Sequence, residues 1–251
     1  MITINNAPFD ILAIKNKYSN HSIQSFILSS LTQARETVNF PTIDALTFEL
    51  DLRSAMVSSA IELSQSNLGF ATFRESKCNG RYWIRRRNGG FQVLQTVKPS
   101  DAILDIYRNG NLYATECATA MVIVLYHALL SVYSAHTFNR LFPSIYLMNW
   151  HNLDPKIAEI GYLRPTTYYL PGDRRYFYNP DVAPENPEWQ GENAIELTQD
   201  RYYAHDFGIV RSNEIISALN ESRKKNAATS AFLRNGVGRP DFDYLFQLKN
   251  R

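Results

Sequence analysis

Asn109-Gly110-Asn111-Leu112-Tyr113-Ala114-Thr115-Glu116-Cys117-Ala118-Thr119-Ala120-Met121-Val122-Ile123-Val124 is the stretch that decides how this chain is read. A polar Asn-Gly-Asn turn opens it, and an apolar run too long for an ordinary strand closes it. Glu116 and Cys117 stand side by side at the junction. The pattern predicts a cysteine at the N-terminus of a buried helix. Thiolate is the reactive form of cysteine, and a helix N-terminus lowers a thiol pKa from about 8.5 into the range of roughly 3.5–7.5. A lone buried cysteine is more often structural. An acid beside a core cysteine changes those odds, because it is costly there unless paired or exposed. Glu116 also opposes the thiolate, so the two groups are expected to titrate as a unit. As a first-turn acid it suits the helix dipole in any case.

Upstream, residues 1–19 carry no firm pattern. Ile23, Phe26, Ile27, Leu31 and Ala34 fall at helical spacing and predict a helix over 20–38. Phe40-Pro41 breaks it. A second helix is predicted over 42–66, ended by Asn67 and Gly69. Residues 70–73 are strand-like, and 81–86 with 91–95 form a hairpin about Asn88-Gly89-Gly90. Ser100 is expected to cap a short helix that stops at Asn109-Gly110. Downstream of the cysteine helix, strands are predicted over 144–150, 166–170, 176–178, 194–197 and 202–205, with a turn at Pro171-Gly172-Asp173. Asn213 is expected to cap a last helix over 214–224, and the tail from Gly236 reads as loop. Helices, then a cysteine helix, then antiparallel strands imply one α+β domain over 1–251, with 1–40 an N-terminal extension and helix.

Composition narrows the function. Hydrophobic residues make up 45% and charged residues 20%, as in an ordinary globular protein. The net charge of +2 gives no basis for nucleic-acid binding. The longest apolar stretch, 118–130, is well short of the roughly 20 residues of a membrane span. Residues 1–8 lack a secretory signal pattern, so the protein is expected to stay in a cytosol. The two cysteines, Cys78 and Cys117, do not form a disulfide framework. No His-Glu-x-x-His, Cys-x-x-Cys or calcium-loop pattern occurs, so no metal and no cofactor is expected.

Two further constellations carry chemistry. In Trp189-Gln190-Gly191-Glu192-Asn193, Glu192 precedes a strand. An unperturbed glutamate is a poor base toward a thiol, but burial raises its pKa toward about 6–7, where it both takes and gives a proton. Trp189 is placed to supply that apolar setting. In Tyr202-Tyr203-Ala204-His205-Asp206, His205 follows the cysteine in chain order and is a candidate base or orienting group. His127 and His136 read as packing residues, and His151 beside Trp150 is ambiguous. The run Arg85-Arg86-Arg87 reads as a solvated strand edge.

Asn-Gly-x-x-Tyr-Ala-x-Glu-Cys-Ala-Thr-Ala, Trp-x-Gly-Glu-Asn and Tyr-x-Ala-His-x-x-Gly-Ile resemble the spore-coat transglutaminases of sporulating bacilli. Residues 48–53, 70–73, Trp150-His151 and Gly172-Asp173 support the resemblance, which runs from about Ile43 to Phe246. It implies a papain-like core of the NlpC/P60 type and a calcium-independent protein-glutamine γ-glutamyltransferase. It implies Cys117 as nucleophile, Glu192 as its partner, Glu116 as an assistant, and Trp150 and Trp189 as walls of a tunnel. It implies glutamine- and lysine-bearing coat proteins as substrates, a monomer, and passage from the mother-cell cytoplasm to the spore coat. Residues 1–40 and 152–167 depart from the pattern. A thiol hydrolase, glutaminase or peptidase, using the same cysteine is the alternative. Backbone N–H groups at the start of the cysteine helix are the expected oxyanion site.

Overall fold

The computed structural model describes residues 1–150 and 152–249. Two helices packed along each other form its spine, Ile43–Ser64 and Cys117–Val132. Thr42 starts the first, its hydroxyl accepting from the Ala45 N–H at 3.1 Å. The second has no polar face: every residue from Ala118 to Leu129 is buried. A helix apolar all round belongs in an interior, which is why the quoted run sits at the centre of the molecule.

An antiparallel sheet lies against this spine. Its spatial order is Gly208–Arg211, Arg201–Ala204, Gly191–Glu196, Arg174–Tyr178 and Phe232–Leu233. Strand side chains alternate between faces. Ile195 accordingly joins the main core with Met121, Val122 and Leu125. Ala194 turns to the other face, where Ile215 and Leu219 of helix Ser212–Glu221 cover it. The sheet is thus buried on both faces, and its strands can carry polar residues inward only where those residues find partners.

Residues 1–40 are more ordered than their composition suggests. Ile2–Ile4 pairs in parallel with Val38–Phe40 and antiparallel with Ala7–Pro8. That pairing ends the predicted helix early, at Gln33. Ile2, Ile27, Leu28 and Leu31 then pack with Leu46 and Leu50 of the long helix.

The hairpin is present as Trp83–Arg85 with Phe91–Val93. Other expectations need correcting. Helix Pro99–Arg108 begins at Lys98, with Ser100 inside its first turn. Proline suits that first position because its missing N–H has no helical partner to lose. Asn213 likewise lies inside helix Ser212–Glu221, whose start is held by the Arg211 N–H donating to Glu214 at 2.8 Å. Of the predicted strand 144–150 only Tyr146–Leu147 pairs, and residues 166–170 form none. The expected loop from Gly236 contains helix Phe242–Lys249, which buries Phe242, Leu245 and Leu248 against the long helix.

A buried ionic cluster pins this tail. Asp173 accepts from Arg53 Nη1 at 2.8 Å and from Arg239 Nε and Nη2 at 2.6 and 2.8 Å. Both Asp173 and Arg53 are wholly buried. Gly172 beside them has φ +85, and a Cβ there would meet Arg53 backbone at 3.2 Å, so the predicted turn needs its glycine.

Candidate active site

Cys117 stands at the first position of its helix, and Glu116 immediately before it is the N-cap. Both carboxylate oxygens of Glu116 turn into the helix. Oε2 accepts from the Ala118 N–H at 2.6 Å and Oε1 from the Thr119 N–H at 2.8 Å. The Thr119 hydroxyl also donates to Oε1 and itself accepts from the Asn149 N–H at 2.9 Å. Two of the N–H groups expected to cradle an oxyanion, those of Ala118 and Thr119, are therefore already occupied by a side-chain carboxylate. Burial pushes the Glu116 carboxyl up, against the pull of these three bonds.

The strand Gly191–Glu196 brings two side chains to the sulfur. Glu192 lies beside Cys117, close enough for the two groups to be coupled electrostatically, and Asn193 Nδ2 donates to Sγ at 3.4 Å. Glu192 is only 3% exposed. Its Oε1 accepts from the His205 backbone N–H at 3.1 Å. Burial drives the Glu192 carboxyl up to about 8. Burial and then the two carboxyls also push the Cys117 thiol well up, while the Asn193 amide pulls the other way. The thiol-lowering effect expected of the helix end is thus overridden. The reason is local: two of the N–H groups that create that effect are neutralised by Glu116, and the sulfur is largely enclosed.

His205 does not present its ring to the sulfur. Nδ1 pairs with the Tyr203 hydroxyl and Nε2 with the Gly69 carbonyl, each at 3.1 Å. A carbonyl only accepts, so Nε2 carries the proton and Nδ1 accepts from Tyr203. Burial lowers this histidine to about 4, so it is neutral at ordinary pH. Its contact with Glu192 is through its backbone. His127 is buried against Ser59 at 2.8 Å and stacked on Tyr107, a packing role, whereas His136 is exposed. His151 lies outside the described residues. Cys78 and Cys117 are both free thiols. Among the described residues no cluster of His, Cys, Asp or Glu is arranged to hold a metal, and no helix is long and apolar enough to cross a membrane.

Cys117 is reached from two sides. A cavity of about 390 Å³ is walled by Phe70, Phe73, Pro187 and Trp189 and includes Glu116, Glu188 and Glu192. A second, of about 610 Å³, is lined by Trp150, Tyr162, Arg174, Tyr176, Asn193 and Arg234, among others. Each of the two tryptophans singled out in the sequence thus faces a different approach to the same sulfur. Two residues at the site escaped the sequence reading. Asn193 sits inside a motif already quoted, but only its acidic neighbour stood out. Arg174 is the first of a bare Arg-Arg pair, and nothing local marks it as buried.

This arrangement, a half-buried thiol with a high-pKa carboxyl between two openings, suits acyl transfer through a thioester. Comparison with known proteins agrees. A family model for protein-glutamine γ-glutamyltransferases matches residues 1–249. The protein-glutamine γ-glutamyltransferase of Bacillus mycoides strain KBAB4 is 44% identical over 236 residues, 93% of this chain and 84% of that one. That of Bacillus cereus strain AH820 is 45% identical over 230 residues, 91% and 82% of the two chains. A solved transglutaminase from Geobacillus stearothermophilus, without its C-terminal extension, superposes with a TM-score of 0.78 at 44% identity, covering 83% of this chain and 99% of that one. A cysteine helix start, an inward-turned glutamate and full-length similarity to named enzymes converge on one conclusion: the chain belongs to the protein-glutamine γ-glutamyltransferase family and is a transglutaminase that cross-links proteins.

Proposed function

We propose that Cys117 is the nucleophile, that Glu192 is its proton partner, and that the substrates are glutamine and lysine side chains of spore-coat proteins. The observation that carries this reading is the buried Glu192 carboxyl lining the same cavity as a sulfur that is open to two cavities. The reactive form of the pair holds one proton, as thiolate with carboxylic acid. Sulfur attacks the glutamine carboxamide carbon, and the carbonyl electron pair moves to oxygen. Collapse breaks the C–N bond as Glu192 gives its proton to nitrogen, so ammonia leaves and a thioester remains. A lysine ammonium, pKa near 10.4, must first lose a proton, and the departing ammonia accepts it. The free amine then attacks the thioester while the Glu192 carboxylate takes its second proton. Sulfur leaves as thiolate, and the starting state is restored.

Glu116 supports this cycle by fixing the helix start and, as a neighbouring negative charge, by keeping the Glu192 carboxyl protonated. His205 orients Glu192 through its backbone N–H. The two approaches divide the substrates. The smaller one offers aromatic walls for a four-methylene stem and Glu188 at an exposed position, which suits a cationic lysine. The larger one holds Arg234 and several amide and hydroxyl groups, which suits the neutral glutamine segment and repels an ammonium. Apolar walls also keep water from the thioester, favouring cross-linking over hydrolysis. The test offers a coat protein and a labelled primary amine to purified enzyme. Amine incorporation that disappears in Cys117→Ala supports the reading. Ammonia release without incorporation points to a thiol hydrolase instead. Microscopy of a tagged chain in sporulating cells tests the coat location.

A further inference from the structure

We infer that the Asn193 side-chain amide is the hydrogen-bond donor that holds the negative charge passing from sulfur to substrate oxygen during acylation, and that Arg174 is the positioning residue that aims it. The inference rests on Cys117 being the nucleophile. Acylation by a thiolate places charge on the carbonyl oxygen, and enzymes meet it with preorganised N–H groups. Two of the donors at this helix start are unavailable. The Ala118 and Thr119 N–H groups are both bound to the Glu116 carboxyl. An oxyanion near that carboxylate would meet repulsion rather than a cradle. Beyond the Cys117 N–H itself, a further donor must come from elsewhere.

Asn193 Nδ2 is 3.4 Å from Sγ. The new oxygen forms one carbon away from that sulfur, within reach of the same N–H group. The orientation of the amide is not arbitrary. Arg174 Nη1 donates to Asn193 Oδ1 at 2.8 Å. A guanidinium only donates, so it holds the carbonyl end and leaves the amino end facing sulfur. With the amide reversed, an oxygen would face the thiolate and two donors would face each other.

Arg174 is itself held on three sides. Its Nε donates to the Ile160 carbonyl at 2.8 Å. Its guanidinium lies over the Trp150 ring at 4.4 Å. Its backbone pairs in both directions with Gly238, at 3.0 and 2.8 Å. A Cβ on Gly238 would stand 2.5 Å from both Arg174 Nε and the Ile160 carbonyl oxygen, so the arginine lies across a position that only glycine leaves open. Trp150 therefore serves as the shelf for this guanidinium as well as a wall of the approach. The site places two carboxyls, Glu192 and Glu116, and the Tyr176 hydroxyl in the field of the sulfur, with Arg174 as the cation opposing them.

The experiment compares Asn193→Ala, Asn193→Asp, Arg174→Lys, Arg174→Met and the double variant Asn193→Ala/Arg174→Met with wild type. Two readouts are taken: ammonia release from a glutamine peptide, resolved into kcat and KM, and the pH dependence of Cys117 alkylation by iodoacetamide. Losing one such donor lowers kcat by roughly 10²-fold, with KM little changed. Asn193→Ala should show that loss and move the alkylation midpoint to higher pH. Asn193→Asp, isosteric but bearing an acceptor, should be at least as impaired. Arg174→Met should reproduce both effects, Arg174→Lys should recover part of them, and the double variant should match Asn193→Ala alone, because both changes remove one function. Asn193→Ala within threefold of wild type, or an unmoved alkylation profile, overturns the donor role. Effects that multiply in the double variant overturn the positioning role. If Arg174→Met does not fold, Arg174→Lys combined with Asn193→Ala carries the same cycle. Activity surviving in Cys117→Ala would instead remove the nucleophile, a failure separate from either.

Discussion

Replacing Glu192 by glutamine should make this protein more stable and nearly inactive, with the stability gain appearing only as pH rises. The carboxyl is buried and stands near 8 instead of its ordinary 4.5. Between those values the unfolded chain has released this proton and the folded chain keeps it. The unfolded state is therefore favoured progressively, by about 1.4 kcal/mol per pH unit. Wild-type stability from this group is greatest below about pH 4.5 and falls toward pH 8. At pH 7 the penalty is on the order of 3 kcal/mol. Glutamine carries no such proton. It retains an Oε1 to accept from His205, but its amino group needs a partner, which removes up to about half of the gain. The expected net is about 1.5–3 kcal/mol, or roughly 3–12 °C in Tm for a chain of this length. Scanning calorimetry of both proteins at pH 4.5, 6, 7 and 8 reads it directly, beside an amine-incorporation assay. The variant should show no gain at pH 4.5, and the difference should grow in its favour above that pH. A constant difference, a less stable variant at pH 8, or undiminished turnover would refute the reasoning, because each means that the carboxyl is not held protonated beside the sulfur.

The same dyad predicts a pH profile in which iodoacetamide alkylation of Cys117 rises through about pH 8 as the pair loses its first proton; stopped assays from pH 6 to 10 would show it, and in Glu192→Gln that rise should move to higher pH. Glu188→Arg should raise KM for a cationic amine several-fold while leaving ammonia release unchanged, and Arg234→Glu should not impair the amine step; steady-state kinetics with each substrate varied in turn distinguishes the two approaches. Burial alone pushes the Asp173 carboxyl up, but Arg53 and then Arg239 outweigh it and hold it below the ordinary carboxylate range. Asp173→Asn should therefore cost roughly 3–5 kcal/mol by denaturant titration, and the difference from wild type should shrink as pH falls through the acid range. Chelation of divalent ions should leave turnover unchanged, measured by amine incorporation with and without excess chelator.

The cysteine helix was legible because the twelve consecutive buried positions from Ala118 to Leu129 permit neither charge nor alternation, and because Glu116 breaks that rule at its edge. The long helix 43–64, the hairpin and Glu192 were legible for similar local reasons: spacing, a glycine turn, an acid set between glycine and asparagine. The two-residue strands were not, since Gly69–Phe70 and Phe232–Leu233 exist only through distant partners. Nor was the tail helix, whose Leu245 and Leu248 gain their burial from a helix two hundred residues earlier. Sequence by itself determined which atoms can react, because a thiol and a carboxyl are properties of side chains. Tertiary structure decided what surrounds them. It occupied the Ala118 and Thr119 N–H groups with Glu116, set the sulfur between two cavities and raised both acids, turned the His205 ring away, and set Arg174 behind Asn193. Each of these depends on distance and exclusion of water, which a linear order of residues does not contain.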